Sequence, residues 1–146
     1  MIEGVRVREL PSSLDKAGLA VELCEKGGCP DPLLGVTGRT LFAGCVEAWI
    51  CREKAAERIT CLEGTVKLVL CDRREDSPTQ GEIMELFLGE YRFREVSVPP
   101  GVLRGWKAVG GRSALILLAL EGGEGDSRLI SPEEARVPYD WEIVMQ

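Results

Sequence analysis

The chain has 146 residues, 45% of them hydrophobic, enough for one domain with a core of its own. Lys and Arg number 18 against 24 Asp and Glu, a net charge of −6 with no basic run, which makes nucleic acid and anionic membranes poor partners. The longest apolar stretch, 114–120, is far short of the roughly 20 residues that span a bilayer, and the charged opening MIEGVRVREL leads us to expect a cytoplasmic protein.

Residues 4–10 alternate Val5 and Val7 with Arg6 and Arg8, the period-2 pattern of a strand with one face in a core. Pro11-Ser12-Ser13 breaks it, and residues 26–34 (KGGCPDPLL) are a loop rich in Gly and Pro. Strands follow over 36–42 and 45–52, joined by a turn at Ala43-Gly44, and a turn over 53–56 leads to a returning strand, 57–62. Glu63-Gly64 offers the positive φ of a tight turn. In 65–71, Val66, Leu68 and Leu70 share one face while Thr65 and Lys67 take the other. Residues 72–81 (DRREDSPTQG) form a polar loop, and 82–88 is the next strand, ended by Gly89. Pro99-Pro100 lacks two amide donors, so the chain leaves its ladder there. Strands 106–109 and 113–120 make a last hairpin around Gly110-Gly111, and 121–127 is a loop. Ser131-Pro132-Glu133-Glu134 caps a single helical turn, and 138–144 closes the chain with Tyr139 and Trp141. Short strands with regular turn signals and almost no helix predict an all-β antiparallel barrel or sandwich.

The chain carries six Cys, no His and no Asn. Scarcity of thermolabile amides fits a thermophile, a setting in which intracellular disulfides occur. Cys24 and Cys29, in CEKGGCP, are the candidate disulfide; the alternative is a fully reduced set of buried thiols. No CxxC exists and no His can co-ligate, which argues against zinc.

The segment TCLEGTVKLVLCDRREDSPTQGEI, followed by FLGE, VPPGVLRGW and VPYDWE, resembles the dTDP-4-dehydrorhamnose 3,5-epimerase family of cupins, with similarity from about Asp15 to Glu142. The resemblance implies a cupin jelly-roll barrel forming a single domain over 1–146. Within it, 1–44 holds N-terminal strands and a loop, 45–121 the barrel core and 122–146 a C-terminal segment. It also implies a homodimer in which the N-terminal strands are exchanged, and a small-molecule sugar or carboxylate ligand. No cofactor is expected.

The family removes a proton α to a keto group with a His base oriented by an Asp, while a Tyr on the opposite face acts as acid. A base with a pKa of about 6.5 suits that step at neutral pH. Counting back from Gly64, the family's Arg-Gly-x-His falls on Glu47-Ala48-Trp49-Ile50, so the base position is Ile50. A second His of some relatives is Arg52, the substrate-binding Lys is Glu57, the His after Pro-Pro-Gly is Arg104, and the acid Tyr is Leu117. The Asp partner falls near Ser131 or Glu133. Ile50 cannot accept a proton and Leu117 cannot donate one. Glu47 and Ala17 stand where the family has phosphate-binding Arg, and the added carboxylates repel a pyrophosphate. The His-x-His of metal cupins is Ile50-Cys51-Arg52, so no metal is expected.

The candidate ligand-binding residues are therefore Arg52, Glu57, Arg104, Glu47 and Trp106. With the turn at 53–56, Arg52 lies opposite Glu57 and Ile50 opposite Ile59, an ion pair where relatives hold substrate. That pair either recognises a ligand carboxylate or hydroxyls, with Arg104 also pointing inward, or fills a vacated pocket. Glu57 and Glu47 are the possible bases, since a Glu in an apolar barrel has a raised pKa. Trp49, one residue out of phase with Ile50, reads as packing; Trp106 reads as packing or as a stacking platform. Cys51 and Cys61 read as inert thiols. Three functions compete: a sugar-, nucleotide-sugar- or carboxylate-binding cupin without epimerase activity, a structural or interaction dimer with a filled barrel, and an epimerase or isomerase using a Glu base.

Overall fold

The computed structural model describes residues 1–24, 33–122 and 128–142, with the backbone alone at 33 and 34. Its strands are β1 (Arg6–Glu9), β2 (Ser12–Leu14), β3 (Leu19–Val21), β4 (Leu33–Leu41), β5 (Val46–Cys51), β6 (Ala55–Glu63), β7 (Thr65–Asp72), β8 (Ile83–Gly89), β9 (Arg94–Val98), β10 (Val102–Val109), β11 (Ala114–Gly122) and β12 (Arg128–Leu129). One helical turn, α1 (Pro132–Ala135), comes after them. All strand pairs are antiparallel. The first large sheet runs β1-β9-β6-β11-β4, the second β12-β5-β10-β7-β8, and β2-β3 form a separate hairpin.

From β4 onward the chain changes sheet at almost every turn, the jelly-roll pattern, and among the described residues there only β7 and β8 are sequence neighbours that also share a ladder. The period-2 alternation of each strand decides what lies between the sheets. Val66, Leu68 and Leu70 of β7, Val102, Trp106 and Ala108 of β10, Ile59 and Cys61 of β6, Val96 and Val98 of β9, and Ala114, Ile116 and Leu118 of β11 form one continuous core. The outer face of the second sheet is covered too. Trp49, Val69, Cys71 and Leu103 pack there against Ala135, with Ile130, Val137, Tyr139 and Trp141 around them. Gly105 marks how close this cover lies, since a Cβ on it would stand 2.8 Å from Trp141 Cζ2 and 2.9 Å from the Ala48 Cβ. Among the described residues no helix is long and apolar enough to cross a membrane.

Several sequence expectations change here. The strands 45–52 and 57–62 do not pair across the 53–56 turn, because β5 joins β10 and β12 while β6 joins β9 and β11. Strands 106–109 and 113–120 likewise lie in different sheets. A short turn between alternating segments signals a reversal, but it reverses equally well across the interior as along a ladder. Ser12 and Ser13, read as a breaker, open β2, and Asp15 Oδ1 accepts from the Ala17 and Gly18 amides at 2.8 and 3.0 Å to turn the chain into β3. Strand β4 begins at Leu33, inside the stretch read as loop, and β9 was not anticipated as a separate strand. The capped turn at Ser131 is present, its Oγ accepting from the Glu134 amide at 3.2 Å. Cys24 is disulfide-bonded, whereas Cys29 lies outside the described residues; Cys45, Cys61 and Cys71 are free thiols.

Asp72, at the end of β7, organises the polar loop beyond it. Its Oδ2 accepts from Ser77 Oγ at 2.5 Å, Thr79 Oγ1 at 2.6 Å and Arg74 Nη2 at 3.0 Å, and its Oδ1 from Arg74 Nε at 2.9 Å. Arg74 Nη2 also donates to the Glu3 carbonyl at 2.6 Å, which ties the N-terminus to the loop.

Candidate functional site

Strand β5 supplies the first wall of the interior. Its ladder with β10 pairs Ile50 with Arg104 and Glu47 with Trp106, so three steps on β5 match two on β10. The extra residue is a bulge, which turns both Glu47 and Ile50 inward and sends Trp49 outward to the C-terminal cover. Trp49 is held there by paired backbone bonds with Ile130 of 2.8 and 2.9 Å.

Arg104, on β10, is 2% exposed; Glu57, on β6 of the facing sheet, is 3% exposed. Arg104 Nε donates to Glu57 Oε1 at 2.8 Å and its Nη2 to Oε2 at 2.9 Å, a two-pronged clamp. Arg52, just past β5, donates from Nε to the same Oε2 at 2.8 Å. Arg104 Nη1 then stands 3.9 Å from Glu47 Oε1, and Glu47 Oε2 meets Arg39 Nη2 at 2.6 Å. The result is a chain of alternating charge, Arg52–Glu57–Arg104–Glu47–Arg39, running through the interior to a half-exposed end at Arg39. The Arg104 guanidinium lies over the Trp106 ring, 3.8 Å from its centroid. Among the described residues, three buried polar atoms of this cluster have no hydrogen-bond partner: Arg104 Nη1, Glu47 Oε1 and Trp106 Nε1.

All five predicted ligand-binding residues, Arg52, Glu57, Arg104, Glu47 and Trp106, are thus brought together, and the expected Arg52–Glu57 pair is present, formed across the barrel corner rather than along a ladder. Arg39 was missed. The signal was its parity with Leu41, two residues on and buried.

Two expectations reverse. Leu117 does not face the interior: Ile116 and Leu118 belong to the core, and Leu117 lies between them, paired with Thr60 and Gly38, on the outer face of the first sheet. The inward positions beside it are aliphatic as well. The second reversal concerns Glu57 as a base with a raised pKa. Burial does push its carboxyl upward, but the hydrogen bonds and charges of Arg104, then of Arg52, outweigh burial and hold it below its ordinary value. Glu57 is an anchored carboxylate. Glu47 retains one carboxylate oxygen facing the cluster.

Both tyrosines lie outside this cluster. Tyr91 is exposed, and Tyr139 sits on the outer face of the second sheet, where its hydroxyl donates to Glu85 Oε2 at 2.8 Å beneath the Lys67 ammonium. Ser131 caps α1, and Glu133 is exposed in its first turn. Burial pushes the Cys61 thiol up to about 11, which keeps it protonated and inert at neutral pH. Among the described residues no group of three or more His, Cys, Asp or Glu is placed to hold a metal ion.

A protein-family model described as dTDP-4-dehydrorhamnose 3,5-epimerase matches residues 50–146. The probable low-salt glycan biosynthesis epimerase of Haloferax volcanii is 30% identical over 146 residues, covering 95% of this chain and 89% of its own. The spore coat polysaccharide biosynthesis protein SpsL of Bacillus subtilis is 28% identical over 148 residues, covering 99% and 94%. Among crystal structures, a dTDP sugar isomerase from Desulfovibrio desulfuricans shares the fold with a TM-score of 0.87 and 23% identity, over 96% of this chain and 92% of that one. The epimerase from Legionella pneumophila, bound to dTDP-4-keto-L-rhamnose, superimposes with a TM-score of 0.83 and 18% identity, over 100% and 82%.

Proposed function

This chain belongs to the dTDP-4-dehydrorhamnose 3,5-epimerase family, and on that premise we propose that it binds a sugar, a nucleotide-sugar or a small carboxylate in its barrel without epimerising it. The observation that carries this reading is the buried cluster around Arg104. Its Nη1, Glu47 Oε1 and Trp106 Nε1 are unpartnered among the described residues and belong to neighbouring side chains of the β5–β10 wall. Buried polar atoms in a settled fold normally have partners, and a ligand's hydroxyls or carboxylate would supply them.

Proton abstraction α to a keto group needs a base whose lone pair is available near neutral pH. Ile50, which the family resemblance sets at the base position, faces the interior, and Glu57 has its carboxylate clamped by two guanidiniums. On this reading the chain keeps a binding site, and no acid–base pair of the family's kind stands among the described residues. Incubation with dTDP-4-keto-6-deoxyglucose in deuterated water should leave C3 and C5 unlabelled. Deuterium at either carbon overturns the reading, and its loss in Glu47→Gln would then identify Glu47 as the base.

The protein works as a homodimer through its N-terminal strands. The β2–β3 hairpin stands apart from both large sheets, with Leu14 81% and Leu19 52% exposed. The outer face of the first sheet, unlike that of the second, carries half-buried Leu115, Leu117 and Ala119 with no such cover among the described residues. A second reading, a structural dimer with a filled barrel, draws on the internal satisfaction of the Arg52–Glu57–Arg104 bonds; a site silent to every sugar and carboxylate would favour it.

A further inference from the structure

The two interior arginines look at first like an anion site, but both already have their anion. Glu57 takes three charge-assisted hydrogen bonds from Arg52 and Arg104 and is 3% exposed. Its carboxylate sits in the notch of the Arg104 guanidinium formed by Nε and Nη2, the two-pronged seat that a ligand carboxylate or phosphate would otherwise use. What remains is a different kind of surface. Arg104 Nη1 is a donor, and Glu47 Oε1, 3.9 Å away, is an acceptor. Trp106, directly opposite Glu47 on the ladder, adds the indole N–H as a second donor. Arg52 and Arg104 face Glu57, and Arg104 and Arg39 face Glu47, so each guanidinium already has a carboxylate beside it, and the unpartnered Glu47 oxygen repels an anion.

We infer that the barrel selects an uncharged, polyhydroxylated ligand of monosaccharide class, with Arg104 Nη1 donating to one ligand oxygen and Glu47 Oε1 accepting from a neighbouring hydroxyl, while Glu57 permanently holds the anion seat. A hydroxyl both donates and accepts, so one hydroxyl or an adjacent pair meets this donor–acceptor edge, whereas a carboxylate or diphosphate only accepts. Discrimination of this kind is strong because the wrong ligand leaves a buried charged atom unpaired. The inference rests on the proposed binding function and narrows its ligand class.

The test is titration calorimetry and thermal shift on the purified protein with L-rhamnose and D-glucose as neutral probes, and sodium acetate and thymidine diphosphate as anions. At least one neutral sugar should bind saturably and raise the midpoint through mass action, the two anions should not, and Glu47→Ala should weaken the sugar at least tenfold. Anion binding without sugar binding overturns this inference and leaves the proposed function standing. Silence from all four probes overturns this inference, and silence from a nucleotide-sugar as well overturns the proposed function. Sugar binding unchanged in Glu47→Ala overturns the assignment of the acceptor. Glu57→Ala tests the seat itself: acetate should raise the midpoint of that variant, or restore its folding, and leave the wild type unmoved. No response of the variant to acetate overturns the seat.

Discussion

Arg104 of one sheet and Glu57 of the other are joined across the barrel interior by two hydrogen bonds of 2.8 and 2.9 Å, and both side chains are almost fully withdrawn from water. This contact links two strands that share no ladder, so it ties the sheets to each other as well as shaping the site.

Removing the carboxylate therefore strands Arg52 and Arg104. Glu57→Gln should cost about 3–5 kcal/mol, the usual penalty for breaking a buried ion pair from one side. Urea denaturation measures it, and a loss under about 1 kcal/mol would contradict the burial seen here. The acid limb supplies a second readout. Because the folded carboxyl titrates below its ordinary value of 4.5, its stabilisation is complete above that pH and fades as pH falls through the folded value. The wild type should lose stability in that acid range, and Glu57→Gln should lose less of it.

Asp72→Asn should release the loop after β7. Burial tends to raise the Asp72 carboxyl, but hydrogen bonds from Arg74, Ser77 and Thr79 more than reverse it and hold it far below the usual carboxylate range. We expect a loss on the order of 3 kcal/mol, together with faster proteolysis at the N-terminus, since Arg74 and Thr79 bond to Glu3. An unchanged cleavage pattern would mean that the N-terminus is held by other contacts.

Gly105→Ala is a steric test. The added Cβ would meet Trp141, Ala48 and Trp49 at 2.8, 2.9 and 3.0 Å, and two of those neighbours are rings in a packed layer. The cost should be about 1–3 kcal/mol, as for other overpacked cores. Tryptophan emission should shift with it as the cover lifts; a melting midpoint equal to the wild type would show that the C-terminal cover moves aside freely.

The exposed β2–β3 hairpin predicts the assembly state. Sedimentation equilibrium should give a dimer, and Leu14→Asp, which removes an apolar contact at the tip of a strand with no partner sheet of its own, should shift the balance toward monomer. A wild type that sediments as a monomer would remove the N-terminal strands from the interface.

The amino-acid sequence by itself determined the local alternation and its direct consequences: the strands around Val66–Leu68–Leu70, the break at Pro99-Pro100, the capped turn at Ser131 and the inward face shared by Arg104 and Trp106. The Arg52–Glu57 pair, expected from a ladder across the 53–56 turn, is present although that ladder is not. Tertiary structure decided everything that alternation leaves open. A period of two assigns a side chain to a face but names no partner strand, so nothing local says that β5 leaves β6 for β10 or that β10 and β11 part into different sheets. Parity is also fragile. The bulge in β5 admits both Glu47 and Ile50 to the interior, while Leu117, set at the acid position by the resemblance, lies on the outer face of the first sheet. The clamp of Arg104 on Glu57 spans 47 residues of chain, and only the packing of one sheet on the other brings its two halves within a hydrogen bond.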